Sequence, residues 1–170
     1  YFLGINPQKT IGIDKNSEAV ELCRKRKLKA MVVDIEGEKL PFKNNYFDGA
    51  VKMRVLEHLY SPREVFLEIN RVLKQNSLIF IIVPTKEHLN YWRDYTHVRP
   101  YTIESLQMLA KDTGFEIDEY FYTGNSIPLW KKFGLGKYVN SAKVRERLGF
   151  FHKRGNIWAI LRKSKEYNLN

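Results

Sequence analysis

The sequence contains a single cysteine, Cys23, among its 170 residues. One cysteine cannot form an internal disulfide or a multi-cysteine metal site, and its scarcity favours a reducing, cytoplasmic setting over secretion. No apolar run approaches the roughly 20 residues of a membrane-spanning helix, and no signal-peptide pattern opens the chain. Hydrophobic residues make up 44% of the chain and charged residues 28%, which is typical of a globular domain with a real core.

The usual signatures of covalent and metal catalysis are also absent. The sequence has no Gly-x-Ser-x-Gly motif, no histidine pair with metal-ligand spacing and no convincing Cys/His pairing. His88 and His152 have no supporting context and are interpreted as surface residues. We therefore expect no metal site and look for function in ligand binding and positioning.

Two short apolar runs end in carboxylates, at Asp14 and Asp34, about twenty residues apart. Further buried-type strands are predicted at residues 47–51, 78–83, 115–122 and 157–161, with residues 75–77 as a turn. Helices are predicted from residue 16 or 17, from Pro62 and from Thr102. Strands that alternate with helices predict an α/β fold, a sheet with helices on both faces, in one domain over residues 1–170.

The two strand-end carboxylates suggest a nucleoside site. In an open α/β sheet, ligands bind beyond the carboxyl ends of the strands. There, Asp14 can accept hydrogen bonds from both ribose hydroxyls, and Asp34 can accept one from an adenine amino group with Ile35 against the base. Alternatively, each aspartate only caps the turn that follows it.

Over residues 11–83 the chain resembles the class I S-adenosylmethionine-dependent methyltransferases, of the broad type that includes quinone-biosynthesis methyltransferases. Each matching stretch is weak alone, but together they are specific in order and spacing. They are Ile11-Gly12-Ile13-Asp14, Asp34 with Leu40-Pro41-Phe42, Phe47-Asp48, Leu56-Glu57-His58 and residues 68–74. The likeness extends through residues 96–102 and 114–116, and to the final strand.

This resemblance implies a Rossmann-like, mostly parallel sheet with an antiparallel C-terminal strand, and S-adenosylmethionine as the cofactor. It implies that Asp14, with the adjacent Lys15, holds the ribose and that Asp34 and Ile35 hold the adenine. The segment of Lys52 and Met53 would line the methionine half through its backbone. The family's first strand and glycine-rich turn would precede Tyr1, so we expect an N-terminally truncated enzyme that binds the cofactor poorly by itself.

Methyl transfer from a sulfonium needs positioning and sometimes a base. His58 and His97 are the candidate bases, although His58 can equally make a structural hydrogen bond. One loop also carries substrate-side candidates: Asp94 to fix the tautomer of His97, Arg99 to pair with an acidic substrate group, and Tyr101. The alternative is that Asp94 and Arg99 only brace this loop.

The net charge of +10 is uneven, because residues 131–170 carry 11 Lys/Arg against 2 Glu. Segment 125–156, between the last two strands, mixes aromatic and basic residues. It is either an insertion with a solvated basic face, a contact for an anionic membrane surface or lipid-linked substrate, or, with less weight, an RNA-binding surface.

We therefore predict methyl transfer from S-adenosylmethionine to a small-molecule, lipid or glycan-precursor acceptor, by a cytoplasmic protein that is peripheral to the membrane if segment 125–156 binds it. The alternatives are a non-catalytic methyltransferase-like binding module and an RNA methyltransferase. A nicotinamide-dependent oxidoreductase is a weaker alternative, because an acid at the end of the second strand also holds NAD ribose. Against it stand Leu56-Glu57-His58 and the lack of a suitably placed Tyr-x-x-x-Lys pair.

Overall fold

The computed structural model describes residues 6–88, 91–124 and 154–166. The chain divides into two compact units, residues 1–43 and 44–170. The single-domain organisation stays a prediction. Segment 125–156 lies outside the described residues except for its last three, 154–156, which belong to the final strand.

The first unit pairs two short parallel strands beside one helix. Its elements are β1 (Ile11–Asp14), α1 (Ser17–Lys25) and β2 (Lys29–Val32), after a short 3₁₀ helix at Pro7–Lys9. The Asn16 side chain caps α1 by accepting from the backbone N–H groups of Glu18 and Ala19. β1 and β2 are parallel, with Asp14 opposite Val32.

The second unit holds a four-stranded sheet in the order β3-β4-β6-β5. β3 pairs with β4 in parallel, and β6 lies between β4 and β5, antiparallel to both. Three of its strands thus run in one direction, which confirms the predicted antiparallel C-terminal strand. The elements are β3 (Phe47–Met53), α2 (Pro62–Val72), β4 (Leu73–Pro84), α3 (Ile103–Asp112), β5 (Phe115–Gly124), β6 (Arg154–Lys163) and 3₁₀ helices at Leu56–His58 and Tyr91–Arg93.

Local sequence explains where the helices of the second unit begin and end. Pro62 occupies the first turn of α2, where its missing N–H costs nothing. α3 begins with a capping box between Thr102 and Ser105 and is followed by Gly114 with a φ of 79°, a conformation that favours glycine. Among the helices in the described ranges, none has the length and apolarity that a membrane crossing needs.

The core of the second unit lies on one face of the sheet. Alternate residues of β4 and β6 are fully buried, as a period of two requires, and α2 and α3 contribute Phe66 and Leu106. On β4 the other face is less covered, because Leu78 is 40% exposed. The alternating buried residues are Ile79, Ile81 and Val83 of β4 and Ile157, Ala159 and Leu161 of β6.

The start of β4 differs from the prediction. Residues 75–77 were expected as a turn, but β4 already begins at Leu73. The ladder is irregular here: Phe47 faces Leu73 while Gly49 faces Leu78, and Asn76 has a φ of 62°. Extra residues on one strand of a pair form a bulge, so a sequence with turn chemistry is accommodated inside the ladder.

Candidate active site

Asp14 and Asp34 both lie at the carboxyl edge of the two-stranded sheet in the first unit. Asp14 ends β1, and Asp34 follows the end of β2 by two residues. Both side chains are exposed. In each, Oδ1 accepts from the backbone N–H two residues on, at 2.8 Å from Asn16 and 3.1 Å from Glu36. The turn-capping role is therefore present in both, and it uses one oxygen of each carboxylate.

The other predicted cofactor residues of this unit flank these acids. Lys15 is exposed, and Ile35 is half-buried. The turn after Asp34 is tight, because its carbonyl oxygen accepts from the N–H groups of Gly37 and Glu38 at 3.1 and 2.9 Å. An apolar side chain thus lies beside a fixed strand-end carboxylate. In such an arrangement the carboxylate can bond to the edge of a base while the apolar side chain packs against its face.

Lys52 and Met53 lie at the end of β3 in the second unit. Lys52 is buried, with its Nζ 5.4 Å from the centroid of the Phe66 ring, whereas Met53 is 42% exposed. The next residue, Arg54, has a φ of 52° and donates its N–H to the carbonyl of Ile82. The Lys52 side chain points into the core, and the contact of this segment with the cofactor through its backbone stays a prediction.

Glu57 is the residue that reasoning from sequence did not place in the site. It lies in the 3₁₀ helix Leu56–His58, is 1% exposed, and its Oε2 has no hydrogen-bond partner. Burial raises the pKa of this carboxyl, although its own backbone N–H and nearby His58, His97 and Arg54 lower it. The Leu-Glu-His pattern was a family signal, but nothing local to it shows that the carboxylate is buried.

The fold brings His58 and His97 together beside Glu57. Their ring centroids are 4.8 Å apart, and one ligand atom from each of the three side chains lies within 4.8 Å of the others. His58 Nδ1 lies 3.0 Å from Thr96 Oγ1 and 3.3 Å from its carbonyl oxygen. His97 Nδ1 lies 2.7 Å from the carbonyl oxygen of Tyr91. The two predicted bases thus belong to one cluster.

Two tyrosines add buried hydroxyls to the second unit. Tyr91 and Tyr101 are 1% and 4% exposed, and neither hydroxyl has a hydrogen-bond partner. Burial raises the pKa of both, that of Tyr101 to about 12, and the Glu57 charge adds to each shift. Tyr101, predicted on the substrate side, is therefore a buried neutral phenol.

Asp94 and Arg99 make the contacts expected of loop braces. Asp94 Oδ1 accepts from the Thr96 N–H at 3.0 Å and from its hydroxyl at 2.6 Å, and these bonds lower the pKa of Asp94. Its Oδ2 lies 3.8 Å from His97 Nε2. Arg99 donates to the carbonyl oxygen of Tyr60 at 3.0 Å and is exposed.

His88 differs from its interpretation as a surface residue. It is half-buried, and burial together with the positive charges of Arg54 and His97 lowers its pKa. His88 is not a member of the Glu57, His58 and His97 cluster. His152 lies outside the described residues.

Comparison with known proteins finds methyltransferases that are similar to this chain. Residues 2–81 match the family model of the methyltransferase domain. A Mycobacterium tuberculosis protein named a probable S-adenosylmethionine-dependent methyltransferase is 27% identical over 112 residues, which cover 64% of this chain and 41% of that protein. The matches to the first two curated relatives cover 34% and 41% of their lengths, so the chain spans well under half of each.

Solved structures share the fold. A methyltransferase of Archaeoglobus fulgidus matches with a TM-score of 0.66 and 19% identity, over 90% of this chain and 75% of that one. A complex between a methyltransferase activator of Haloferax volcanii and a protein described as a putative methyltransferase matches with a TM-score of 0.69 and 17% identity, over 91% of this chain and 72% of that one. These likenesses establish the Rossmann-like class I methyltransferase fold of this chain. The cofactor named for the Mycobacterium tuberculosis and Archaeoglobus fulgidus proteins is S-adenosylmethionine.

Proposed function

We propose that this protein transfers a methyl group from S-adenosylmethionine. The family model and the relatives support this activity. The acceptor we propose is a small molecule, a lipid or a glycan precursor. Because the chain spans only part of its relatives, the activity of the whole protein is part of this proposal. The observation that carries it is the placement of Asp14 and Asp34 at one sheet edge.

The strand-end carboxylates have the chemistry for the nucleoside half of the cofactor. β1 and β2 are parallel, so both acids leave the sheet at its carboxyl edge, where α/β folds bind nucleotides. One carboxylate can accept hydrogen bonds from the two hydroxyls of a ribose, and a second carboxylate can accept a hydrogen bond from an exocyclic amino group. Each acid uses one oxygen for its own turn, so the turn orients the carboxylate.

The chain's own part in methyl transfer is positioning and proton removal. The sulfonium of S-adenosylmethionine supplies the activated methyl group when the cofactor is bound. Backbone at Lys52 and Met53 is our candidate contact for its methionine half. His58 and His97 are our candidate bases, because a neutral imidazole can take a proton from an acceptor hydroxyl or amine.

The acceptor side is the loop from Asp94 to Tyr101. Asp94 lies near His97 Nε2 and can stabilise an imidazolium there. Arg99 is exposed, so it can pair with an anionic acceptor group while it remains bonded to the Tyr60 carbonyl. Tyr101 is buried, and we assign it a positioning role.

We further propose a cytoplasmic protein whose segment 125–156 contacts an anionic membrane surface or lipid-linked acceptor. The support is the concentration of Lys and Arg among residues 131–170. Salt-sensitive co-sedimentation with anionic liposomes tests this. Binding to RNA with no binding to liposomes would instead favour an RNA acceptor.

Calorimetric titration with S-adenosylmethionine, with NAD as the comparison ligand, tests the proposed cofactor site. The informative variants are Asp14→Asn and Asp34→Asn, because Asn keeps the Oδ1 acceptor of each turn and removes only the charge. If the acids hold the nucleoside, each variant weakens S-adenosylmethionine binding by about tenfold or more, as expected for hydrogen bonds to charged groups.

Asp112→Asn is the matched control, because Asp112 is an exposed aspartate at the end of α3. It should leave the dissociation constant unchanged. Unchanged binding by Asp14→Asn and Asp34→Asn would show that these acids only cap their turns. Binding of NAD in preference to S-adenosylmethionine would overturn the proposed reaction.

A further inference from the structure

The cluster of Glu57, His58 and His97 has a geometry that methyl transfer does not require. Two imidazoles and one carboxylate approach within 4.8 Å of one another. The carboxylate is 1% exposed, and its Oε2 has no hydrogen-bond partner. We propose that Glu57, His58 and His97 bind one divalent first-row transition-metal ion of the Zn²⁺ type.

The hydrogen bonds of His97 present the correct nitrogen to a metal. Its Nδ1 lies 2.7 Å from the Tyr91 carbonyl oxygen, which can only accept, so Nδ1 carries the proton. In the neutral ring, Nε2 then keeps its lone pair. A bond from the second nitrogen to a backbone carbonyl is the usual way in which proteins orient metal-binding histidines.

The same argument applies to His58 through Thr96. The Thr96 hydroxyl donates to Asp94 Oδ1 at 2.6 Å, so toward His58 it accepts. The Thr96 carbonyl, 3.3 Å from the same Nδ1, also accepts. His58 Nδ1 therefore carries its proton, and its Nε2 is the nitrogen with a lone pair.

Glu57 supplies a buried negative charge that a bound cation would stabilise. A buried carboxylate without a partner for one oxygen is costly unless it is protonated or paired with a positive charge. Its backbone is fixed, since its carbonyl accepts from the Val98 N–H at 2.8 Å. A divalent ion at this place would satisfy Oε2 and both Nε2 atoms together.

The donor set selects the class of ion. Imidazole nitrogen with one carboxylate oxygen suits Zn²⁺, Co²⁺ and Fe²⁺, whereas Mg²⁺ and Ca²⁺ prefer oxygen ligands alone. Ligands about 2.0–2.1 Å from a tetrahedral ion lie about 3.4 Å apart. Because the three ligand atoms lie within 4.8 Å of one another, their separations need to shorten by at most about 1.4 Å. Three ligands leave a position for water or another oxygen ligand.

The competing explanation is a polar cluster without a metal. Asp94 Oδ2 lies 3.8 Å from His97 Nε2, so a protonated His97 could pair with Asp94, while Glu57 stays protonated. The two explanations differ in an observable: only a metal site binds one ion through all three side chains. Metal binding competes with the proposed role of His58 and His97 as bases, because a metal-bound Nε2 has no lone pair left to take a proton. Zn²⁺ binding is measured without S-adenosylmethionine or acceptor, so its failure and the failure of the proposed function are distinguishable.

The test is titration of the metal-free full chain with Zn²⁺ by calorimetry, and with Co²⁺ by visible absorption. We expect one ion per chain, Co²⁺ bands of a site with nitrogen and oxygen ligands, and no competition from excess Mg²⁺. Because Cys23 is the single cysteine, Cys23→Ser should leave the Co²⁺ spectrum unchanged. Absence of stoichiometric Zn²⁺ binding by the wild-type chain would overturn the proposal.

The variants are His58→Ala, His97→Ala and Glu57→Gln, with circular dichroism to check folding. Each should weaken Zn²⁺ binding by at least about tenfold, because loss of even a supporting contact costs that much. The matched control is His88→Ala, a half-buried histidine outside the cluster, which should bind Zn²⁺ as the wild type does. Equal affinity in folded cluster variants, or equal loss in His88→Ala, would place the ion elsewhere and refute the site.

Discussion

His97 contacts Tyr91 through both its ring and its hydrogen bond. The two ring centroids are 4.6 Å apart, and His97 Nδ1 lies 2.7 Å from the Tyr91 carbonyl oxygen. The side chain of His97 is 12% exposed. These contacts fix the tautomer and the plane of the imidazole before any ligand arrives, which is the preorganisation that a base or a metal ligand needs.

The first prediction follows from this orientation. His97→Ala should lower the rate of methyl transfer by about 10²-fold or more, the usual contribution of a positioned base. The dissociation constant of S-adenosylmethionine should stay within about threefold of the wild type, because a base acts on the acceptor. Single-turnover rates and calorimetry measure the two effects, with His88→Ala as control. Weaker cofactor binding with unchanged turnover would remove His97 as a base.

A second prediction concerns the ion pair of Arg71 and Glu68 on α2. Arg71 donates from Nε and Nη2 to the two Glu68 oxygens at 2.8 and 2.6 Å, and from Nη1 to Asn44 Oδ1 at 2.9 Å. Both side chains are largely buried, at 17% and 10% exposure. Arg71→Lys keeps the charge but loses the two-pronged geometry, so unfolding in urea should show a loss of about 1–2 kcal/mol.

Arg63→Lys is the control for this prediction. Arg63 lies on the same helix, but its side chain is 56% exposed and its distance to Glu64 is 3.8 Å. Surface pairs of this kind contribute little, so the variant should unfold within about 0.5 kcal/mol of the wild type. If the two substitutions cost the same, the two-pronged contact is not the source of the stability.

Elements with strong local signals were predictable from the sequence. The apolar period of α2, the capping residues Asn16 and Thr102, and the apolar run of β4 each determine their element locally. The start of β4 was not predictable in this way. Gln75-Asn76-Ser77 has turn composition, and only pairing with β3 shows that the ladder continues around it.

The residue types of the site were predictable from the sequence, but the burial of its side chains was not. The histidines and strand-end acids come from short motifs, whereas burial depends on contacts between residues far apart in sequence. Glu57 is buried, and its carbonyl accepts from the N–H of Val98, a residue of a distant part of the chain. Tyr101, which the sequence placed on the substrate side, is also buried. Local patterns carry no information about such packing.

The third prediction tests the start of α3. The Thr102 hydroxyl accepts from the Ser105 N–H at 3.2 Å, and Ser105 Oγ accepts from the Thr102 N–H at 3.0 Å. Thr102→Ala removes the acceptor and should lower the free energy of unfolding by about 1 kcal/mol. Thr102→Ser keeps the hydroxyl and should cost much less. Equal losses in the two variants would show that the methyl group, and not the cap, matters.

The fourth prediction concerns Lys163 in β6. Its Nζ donates to Asn45 Oδ1 at 3.1 Å, Asn70 O at 2.9 Å and Leu73 O at 2.8 Å, and its side chain is 2% exposed. Lys163→Met preserves the aliphatic stem but leaves buried acceptors without a donor, so unfolding in urea should show a loss of about 2–4 kcal/mol. The exposed Lys165 provides the control, because Lys165→Met should be nearly neutral. A neutral Lys163→Met variant would contradict the structural role of the ammonium.

The pH dependence of this loss separates hydrogen bonding from charge. Burial lowers the pKa of Lys163 below its ordinary value of 10.5, and the Glu166 carboxylate offsets part of that effect. The folded state therefore disfavours the charged form of the Lys163 amine. The contribution of this amine to stability is fully present above its unfolded pKa and is lost as the pH falls through its folded pKa. The deficit of Lys163→Met relative to the wild type should therefore grow as the pH rises toward about 10.5, the ordinary pKa of a lysine, while that of Lys165→Met stays constant. Urea unfolding across this range measures both deficits, and a Lys163→Met deficit that shrinks as the pH rises would show that the buried amine is not destabilised by its charge.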